Sequence, residues 1–218
     1  MTKKTTTICC ALALLATTAA TPVLSQSKNF AGPSIAIHAG YTGTDTKMTF
    51  DTAADGYLNF GENDVTYGAD LAYSFPVDNN FLISIGATYD FDKIKAGSGS
   101  SEEAGDTLSL KLSLKNHYSC YIEPTYAFNN STALFAKLGY HQAKGSVNLT
   151  GTDNATGSKD FEGWGYGFGI KTFLNNNVFV KAEASLVEYD KETYGSDGDI
   201  VSFKPETVSG LISIGYKF

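Results

Sequence analysis

The chain has 218 residues, 23 of them acidic and 16 basic, for a net charge of -7. Every basic residue is a lysine, and an acidic chain without arginine excludes a phosphate-tracking nucleic-acid surface. No apolar run approaches the roughly 20 residues that a membrane-spanning helix needs, so any crossing of a bilayer falls to strands.

Residues 1–25 read as a secretory signal peptide. Lys3 and Lys4 form the positive start. A short apolar run from Ile8 to Ala16 follows, and Val23, Leu24 and Ser25 precede a cleavage site before Gln26, with Ala20 as a second candidate. Cleavage removes two lysines and no acids, leaving 16 − 2 = 14 basic against 23 acidic residues. It also removes Cys9 and Cys10, so Cys120 remains alone, with no internal disulfide and no cysteine metal site. Residues 26–33 form a lead-in, and residues 34–218 form one β domain.

From Ser34 onward apolar residues recur at every second position, the period of a two-faced strand. Strand one is expected at 34–42 (Ile35, Ile37, Ala39, Tyr41), strand two at 63–75 (Val65 to Phe75) and strand three at 81–92 (Phe81 to Phe91). Strand four runs over 107–128, with one apolar parity from Leu108 through Leu114 to Tyr118, Cys120 and Phe128. Strands five to eight follow at 132–147, 161–174, 178–189 and 205–218. Most exceed the five or six residues usual in soluble sheets and reach the roughly 9–11 that cross a bilayer at a tilt.

The connections alternate in length. Those at 76–80, 129–131 and 175–177 are short and rich in Asn, Asp and Pro, as tight hairpins require. Those at 43–62, 93–106, 150–160 and 190–204 are long and polar. Short turns on one side and long loops on the other are the pattern of an eight-stranded antiparallel up-and-down transmembrane β-barrel. A soluble lipocalin-like barrel would hide its apolar face inside. Here the apolar face carries aromatics near strand ends, as lipid-facing girdles do, from Tyr41 and Tyr67 to Trp164 and Phe218.

The opposite face carries Asp70, Lys111, Lys115, His117, Glu123, Lys137, His141, Lys171, Lys181 and Glu183, together with Gly163, Gly165, Gly167 and Gly169. An eight-stranded barrel is just wide enough for side chains to fill, so these residues are expected to form a structural ion-pair network in the lumen. Glu123 and Lys137 are equidistant from Asn130 (130 − 123 = 7, 137 − 130 = 7) and are expected to pair. Lys171 and Glu183 form a second, offset pair (176 − 171 = 5, 183 − 176 = 7). Among the glycines of this face, room for lysine and aromatic side chains from other walls is expected.

The last strand carries Ile212, Ile214, Tyr216 and Phe218 on one face and ends on an aromatic residue. With Tyr121-Ile122-Glu123-Pro124-Thr125-Tyr126, Ala136-Lys137-Leu138-Gly139-Tyr140 and the alternating glycines of 163–169, this strand resembles the small outer-membrane β-barrel superfamily. That superfamily comprises the OmpA-like, OmpX/Ail-like and opacity-protein groups, often labelled the porin family. The resemblance implies export to the bacterial outer membrane and contact with its lipids and lipopolysaccharide. It also implies that the terminal strand is read by the barrel-assembly machinery, and that the loops protrude toward an extracellular host or surface ligand.

Little else points to chemistry. His117 and Ser119 share a face with Glu123, an arrangement that resembles the set of outer-membrane lipid A deacylases but has lumen parity, away from any acyl chain. His38 and His141 read as lone lumen histidines, and no metal-ligand spacing or phosphate loop is present. No cofactor and no enzymatic activity are expected. The leading function is a structural or adhesin-like surface protein, with a narrow-pore channel second and a lipid A-modifying enzyme third.

Overall fold

In the computed structural model, the described residues are 26–51, 56–103, 106–150, 155–194 and 200–218. The expected signal peptide lies outside them. A short 3-10 helix at Gln26–Asn29 precedes ten strands: β1 (Gly32–Asp51), β2 (Gly56–Pro76), β3 (Phe81–Asp90), β4 (Ile94–Glu103), β5 (Asp106–Ala127), β6 (Thr132–Thr150), β7 (Ala155–Phe173), β8 (Val178–Tyr189), β9 (Glu192–Tyr194) and β10 (Ile200–Lys217). Eight of them close an antiparallel cylinder in the order β1-β2-β3-β5-β6-β7-β8-β10, and β10 returns to β1. The closing ladder runs from Ser34↔Lys217 to Asp51↔Ile200.

The tight turns are built by local side-chain chemistry. Asn129 Oδ1 accepts the backbone N–H groups of Ser131 and Thr132, both at 2.8 Å. Asn175 Oδ1 does the same for Asn177 and Val178, at 2.9 and 2.8 Å. These Asx bonds hold each two-strand corner in one conformation and fix the hairpin register.

The cylinder is turned inside out relative to a soluble protein. Ile37, Leu71, Phe168, Ile212 and Ile214 are at least half exposed on the outer wall, whereas Asp70, Glu123, Lys171, Lys181 and Glu183 are buried inside. Aromatic pairs ring both ends of the apolar band. Tyr73–Phe75, Tyr126–Phe128 and Tyr216–Phe218 lie at the tight-turn end, and Tyr67–Phe91 and Tyr140–Trp164 at the other. Amphipathic rings at two water interfaces delimit a lipid-facing band.

The long polar connections are not loops. The structure extends β1, β2, β6, β7 and β10 through most of them and adds β4 and β9. Periodicity misses these extensions because polar and apolar residues share their inward face, as Thr44, Thr46 and Met48 do in β1, so no sustained apolar contrast marks the alternation. Above the band the wall parts. The β2–β3 ladder stops at Gly68↔Asp90, and β4 pairs with β5 instead. The β7–β8 ladder stops at Gly163↔Tyr189, and β9 pairs with β10. Two facing sheets result, β2-β1-β10-β9 and β4-β5-β6-β7.

An apolar cluster fills the space inside: Ile94, Ala96, Leu114, Ala143, Phe161, Val187, Tyr189 and Phe203, with Met48 against it. Side chains bridge the seams. Lys95 binds Asp64 through its ammonium (3.8 Å) and its backbone N–H (3.2 Å), Thr46 donates its hydroxyl to the Ala96 carbonyl (3.0 Å), and Lys159 pairs with Glu192.

One expected parity is corrected. Asn116 takes a left-handed backbone (φ 50°), and the β5–β6 register slips between Lys115↔Lys144 and Tyr118↔Gln142. Asparagine tolerates that conformation, and one extra residue exchanges inside for outside. Leu114 therefore points into the roof while Tyr118 faces outward, and Lys115 leaves the lumen to hydrogen-bond Ser146 at 3.4 Å.

A charge placed on the outer band tests this geometry. Phe168→Arg, at a position 70% exposed, is expected to lower unfolding free energy in lipid vesicles by about 2–4 kcal/mol. Denaturant titration of the refolded barrel measures it, and an unchanged midpoint would place that face away from lipid.

Candidate functional site in the barrel lumen

The lumen is filled in layers. At the tight-turn end Phe30, Leu82, Ala127 and Ala133 form an apolar floor, with Phe173 edge-on to Phe30 at 5.1 Å. The 3-10 helix seats this floor. The backbone N–H of Ser27 donates to the Asn79 carbonyl (3.1 Å), and the Asn29 amide donates to the Asn130 carbonyl (3.0 Å).

Above the floor lies an ionic layer. Glu123, 1% exposed, accepts Lys171 on Oε1 (3.3 Å) and Lys181 on Oε2 (3.2 Å). Glu183 accepts Lys137 (2.6 Å) and Lys181 (3.3 Å). Tyr121 donates its hydroxyl to Asp70 (2.8 Å to Oδ2), and the Lys137 ammonium sits 4.4 Å from the Tyr121 ring centre.

Three lysines thus pair with two carboxylates, and the third carboxylate, Asp70, is held by the Tyr121 hydroxyl. Each buried ion would cost several kcal/mol alone, and mutual contact offsets that cost. The six residues expected in the network are together, but with other partners. Lys137 reaches Glu183 rather than Glu123, and Lys171 reaches Glu123 rather than Glu183. Hairpin counting does place Glu123 at the level of Lys137, since Ile122 faces Leu138 and Thr125 faces Phe135. Inside a narrow cylinder, however, long lysine side chains reach past the adjacent strand to the next one, and a ladder neighbour has no priority.

Glycines admit the large side chains. A Cβ at Gly86 would lie 2.4 Å from the Tyr121 ring, and one at Gly169 would lie 2.4 Å from Phe135. Gly165 leaves room for the His141 ring, which a Cβ would meet at 2.3 Å.

Above the ionic layer is a constellation that the sequence reading missed. Asp90, at the top of β3, receives His38 Nε2 on Oδ1 (2.8 Å) and His117 Nδ1 on Oδ2 (2.5 Å). His117 Nε2 faces His141 Nδ1 at 2.9 Å. The two ring planes differ by 12° with centroids 5.1 Å apart. Centroids that far apart with nitrogens that close mean rings meeting edge to edge in nearly one plane, the geometry of a linear N–H···N bond. The histidines are therefore linked and not lone, four strands contributing one residue each. The alternation of β3 (Leu82, Ser84, Gly86, Thr88, Asp90 inward) was the available signal for Asp90.

Both nitrogens of His117 are occupied by Asp90 and His141, and Ser119 bonds Thr88 at 2.6 Å. The suggested His117–Ser119–Glu123 set is not assembled, since Glu123 serves the lysines. A cavity of about 50 Å³ lies between the histidine chain and the ionic layer, lined by residues including Thr42, Thr66, Ser185 and Ser213. It has room for one or two waters at about 30 Å³ each. Among the described residues no group of three or more His, Cys, Asp or Glu side chains converges to hold a metal ion.

The outer wall carries its own polar ring above the aromatic belt. Tyr140 and the Gln142 amide donate to Glu162, and Lys204 binds Glu188 (3.7 Å) and Glu206 (3.2 Å). The hydrogen bond and charge of Glu206 raise Lys204 above the ordinary lysine value.

Removing the hub of the ionic layer should be costly. Glu123→Gln leaves Lys171 and Lys181 without their shared carboxylate and is expected to lower stability by about 3–5 kcal/mol. The temperature at which the folded band converts to the unfolded band on a gel reports this, and an unshifted conversion would contradict the network's structural role.

Comparison with known proteins agrees with this architecture. The outer membrane protein beta-barrel domain family matches residues 7–218. No curated protein matches the sequence. Among solved structures, the chain is similar to the outer membrane protein OprG from Pseudomonas aeruginosa (15% identity, 86% of this chain and 96% of that chain, TM-score 0.53). It is also similar to the protease OmpT from Escherichia coli (10% identity, 86% and 97%, TM-score 0.49). A third similar structure is Ail, the attachment invasion locus protein of Yersinia pestis (17% identity, 86% and 99%, TM-score 0.44). At these identities the likeness to solved structures is one of fold alone. A family match over nearly the whole chain, joined to a closed eight-stranded cylinder with an apolar exterior, identifies the chain as a member of the outer membrane protein beta-barrel domain family.

Proposed function

We propose that this barrel is a surface-interaction protein of the bacterial outer membrane, exported by its N-terminal signal segment, and neither an enzyme nor an open pore. The observation that carries the reading is the contrast between a filled lumen and a strand extension that continues beyond the aromatic belt. Floor, ionic layer, histidine chain and roof occupy the bore in sequence, with all six network charges in contact with a partner. β1, β2 and β5 reach 20, 21 and 22 residues, about twice the roughly 10 that cross a bilayer. The surplus builds two sheets with edges at β2, β9, β4 and β7, where an extended partner chain can add a strand. The carboxylates and lysines outside the aromatic belt sit where lipopolysaccharide headgroups would meet them, and the Ile212–Phe218 face is the surface offered to the barrel-assembly machinery.

Two measurements bear on this. Cells displaying the full chain are expected to adhere to host-cell or matrix-coated surfaces, and replacing residues 98–111 with a tight turn should abolish that adhesion while keeping a heat-modifiable barrel. Equal adhesion by the trimmed barrel would remove the extension from the function. In planar bilayers at neutral pH the wild type is expected to give no conductance steps, and Lys137→Ala is expected to be less stable and still non-conducting. Stable single-channel steps from the wild type would favour the narrow-pore reading.

A further inference from the structure

The histidine chain stands where the barrel wall changes character. His117 follows the Asn116 bulge, within the gap of the β5–β6 ladder between Lys115↔Lys144 and Tyr118↔Gln142. The His117–His141 bond is thus a side-chain substitute for missing ladder contacts. Directly above it the wall parts into two sheets. The Tyr189 ring stands edge-on to His117 (6.4 Å, 69°) and is itself part of the apolar roof. Ile94, another roof residue, also lines the cavity beneath.

Hydrogen-bond arithmetic fixes the protons. Asp90 is acceptor-only when ionised, so His38 donates from Nε2 and His117 from Nδ1. His117 Nε2 is then a lone pair, and His141 must donate Nδ1–H to it. One added proton is accommodated: a cationic His117 donates from Nε2, and a neutral His141 with its hydrogen on Nε2 accepts. A second added proton is not, because both facing nitrogens then carry hydrogens and both rings carry charge.

The surroundings do not absorb that pair of charges. The charged or titratable groups facing this pair and its cavity are His38 on β1, Asp70 on β2, Asp90 on β3, Lys137 on β6, and Lys181, Glu183 and Tyr189 on β8. β7 presents Gly165 and β10 presents hydroxyls such as Ser213. Asp70 is engaged by Tyr121, and Glu183 is shared by Lys137 and Lys181. Asp90 alone remains for three imidazoles.

The roof above is held lightly. The Tyr189 hydroxyl and Thr44 Oγ1 are buried without a hydrogen-bond partner, so their desolvation is uncompensated. The Lys95–Asp64 and Lys159–Glu192 bridges are partly solvated pairs, of the kind that stabilises weakly.

We propose that the His117–His141 pair, anchored by Asp90 beneath the apolar roof, is an acid-operated latch: when both imidazoles are protonated their bond breaks, the roof opens, and the lumen cavity becomes accessible from the extracellular side. Imidazole is the side chain whose charge changes between about pH 5 and 8. A fall from about pH 7 to about pH 5 stays above the ordinary carboxylate range, so the seam carboxylates are poor rivals for the effect.

Hydrogen exchange of the full-length barrel in detergent micelles tests the latch. After correction for intrinsic exchange, the β4 and upper β5 amides of the wild type are expected to exchange at least about tenfold faster at about pH 5 than at about pH 7. Tenfold is the linkage change for one proton over one unit. His141→Gln keeps an amide donor for His117 and removes the second titration, so its roof exchange should be flat with pH. Nitrogen-15 spectra of the wild-type imidazoles provide a reading that needs no variant: the second protonation of the pair and the roof opening should share one midpoint. A wild type without acid acceleration would overturn the latch. So would equal acceleration in His141→Gln, or separate midpoints.

Discussion

Backbone amides and carbonyls cannot be left unpaired in hydrocarbon, and a sheet that crosses a bilayer must therefore close on itself. The β1–β10 ladder meets this demand, joining the first and last strands from Ser34↔Lys217 upward. Its register also sets which side of each strand faces lipid. Ile37 and Ile214, directly opposite one another, are both exposed on the outer wall, and Ser213 and His38, the next pair along, are both buried. A slip of one residue would exchange these sets, so closure and sidedness are a single constraint.

Eight strands leave a bore that side chains fill, and what fills it must satisfy its own polar groups. The solution is graded along the axis. The floor is apolar and braced by the lead-in helix. The middle is a balanced set of buried charges paired beyond their ladder neighbours. The upper level is the histidine–aspartate chain, and above it the roof is apolar again. Removing water from ions is costly, so the middle layer holds together only as a complete set. The roof, with two buried hydroxyls unpartnered and its seams bridged by solvated pairs, is the least constrained level. An acid-sensitive element placed at that boundary acts on the weakest part of the wall.

The barrel was legible in the sequence because apolar and polar residues alternate strictly wherever lipid lies on one side, as in β3, β8 and the lower half of β10. Legibility failed where that contrast disappears. Thr42, Thr44 and Thr46 continue β1 inward, yet their outward neighbours are Gly43, Asp45 and Lys47, so period two was invisible and the segment read as a loop. β5 failed for the opposite reason. Its even-numbered leucines continue the pattern of Tyr118 and Cys120 without a break, and only the left-handed Asn116 reverses the faces. The membership of the ionic layer could be read from parity, but its pairing could not, because lysine reach past a neighbouring strand is a three-dimensional fact. The role of Asp90 was hidden by its place at a strand end next to Phe91 and Asp92.

The central claim is that one register closes the cylinder and turns every lumen residue inward. Backbone amide contacts between β1 and β10, measured by nuclear magnetic resonance in micelles, test it most directly. The account predicts cross-strand contacts in the register that sets Ile37 against Ile214 and Tyr41 against Gly210. Contacts displaced by one residue, or none between these two strands, would contradict it.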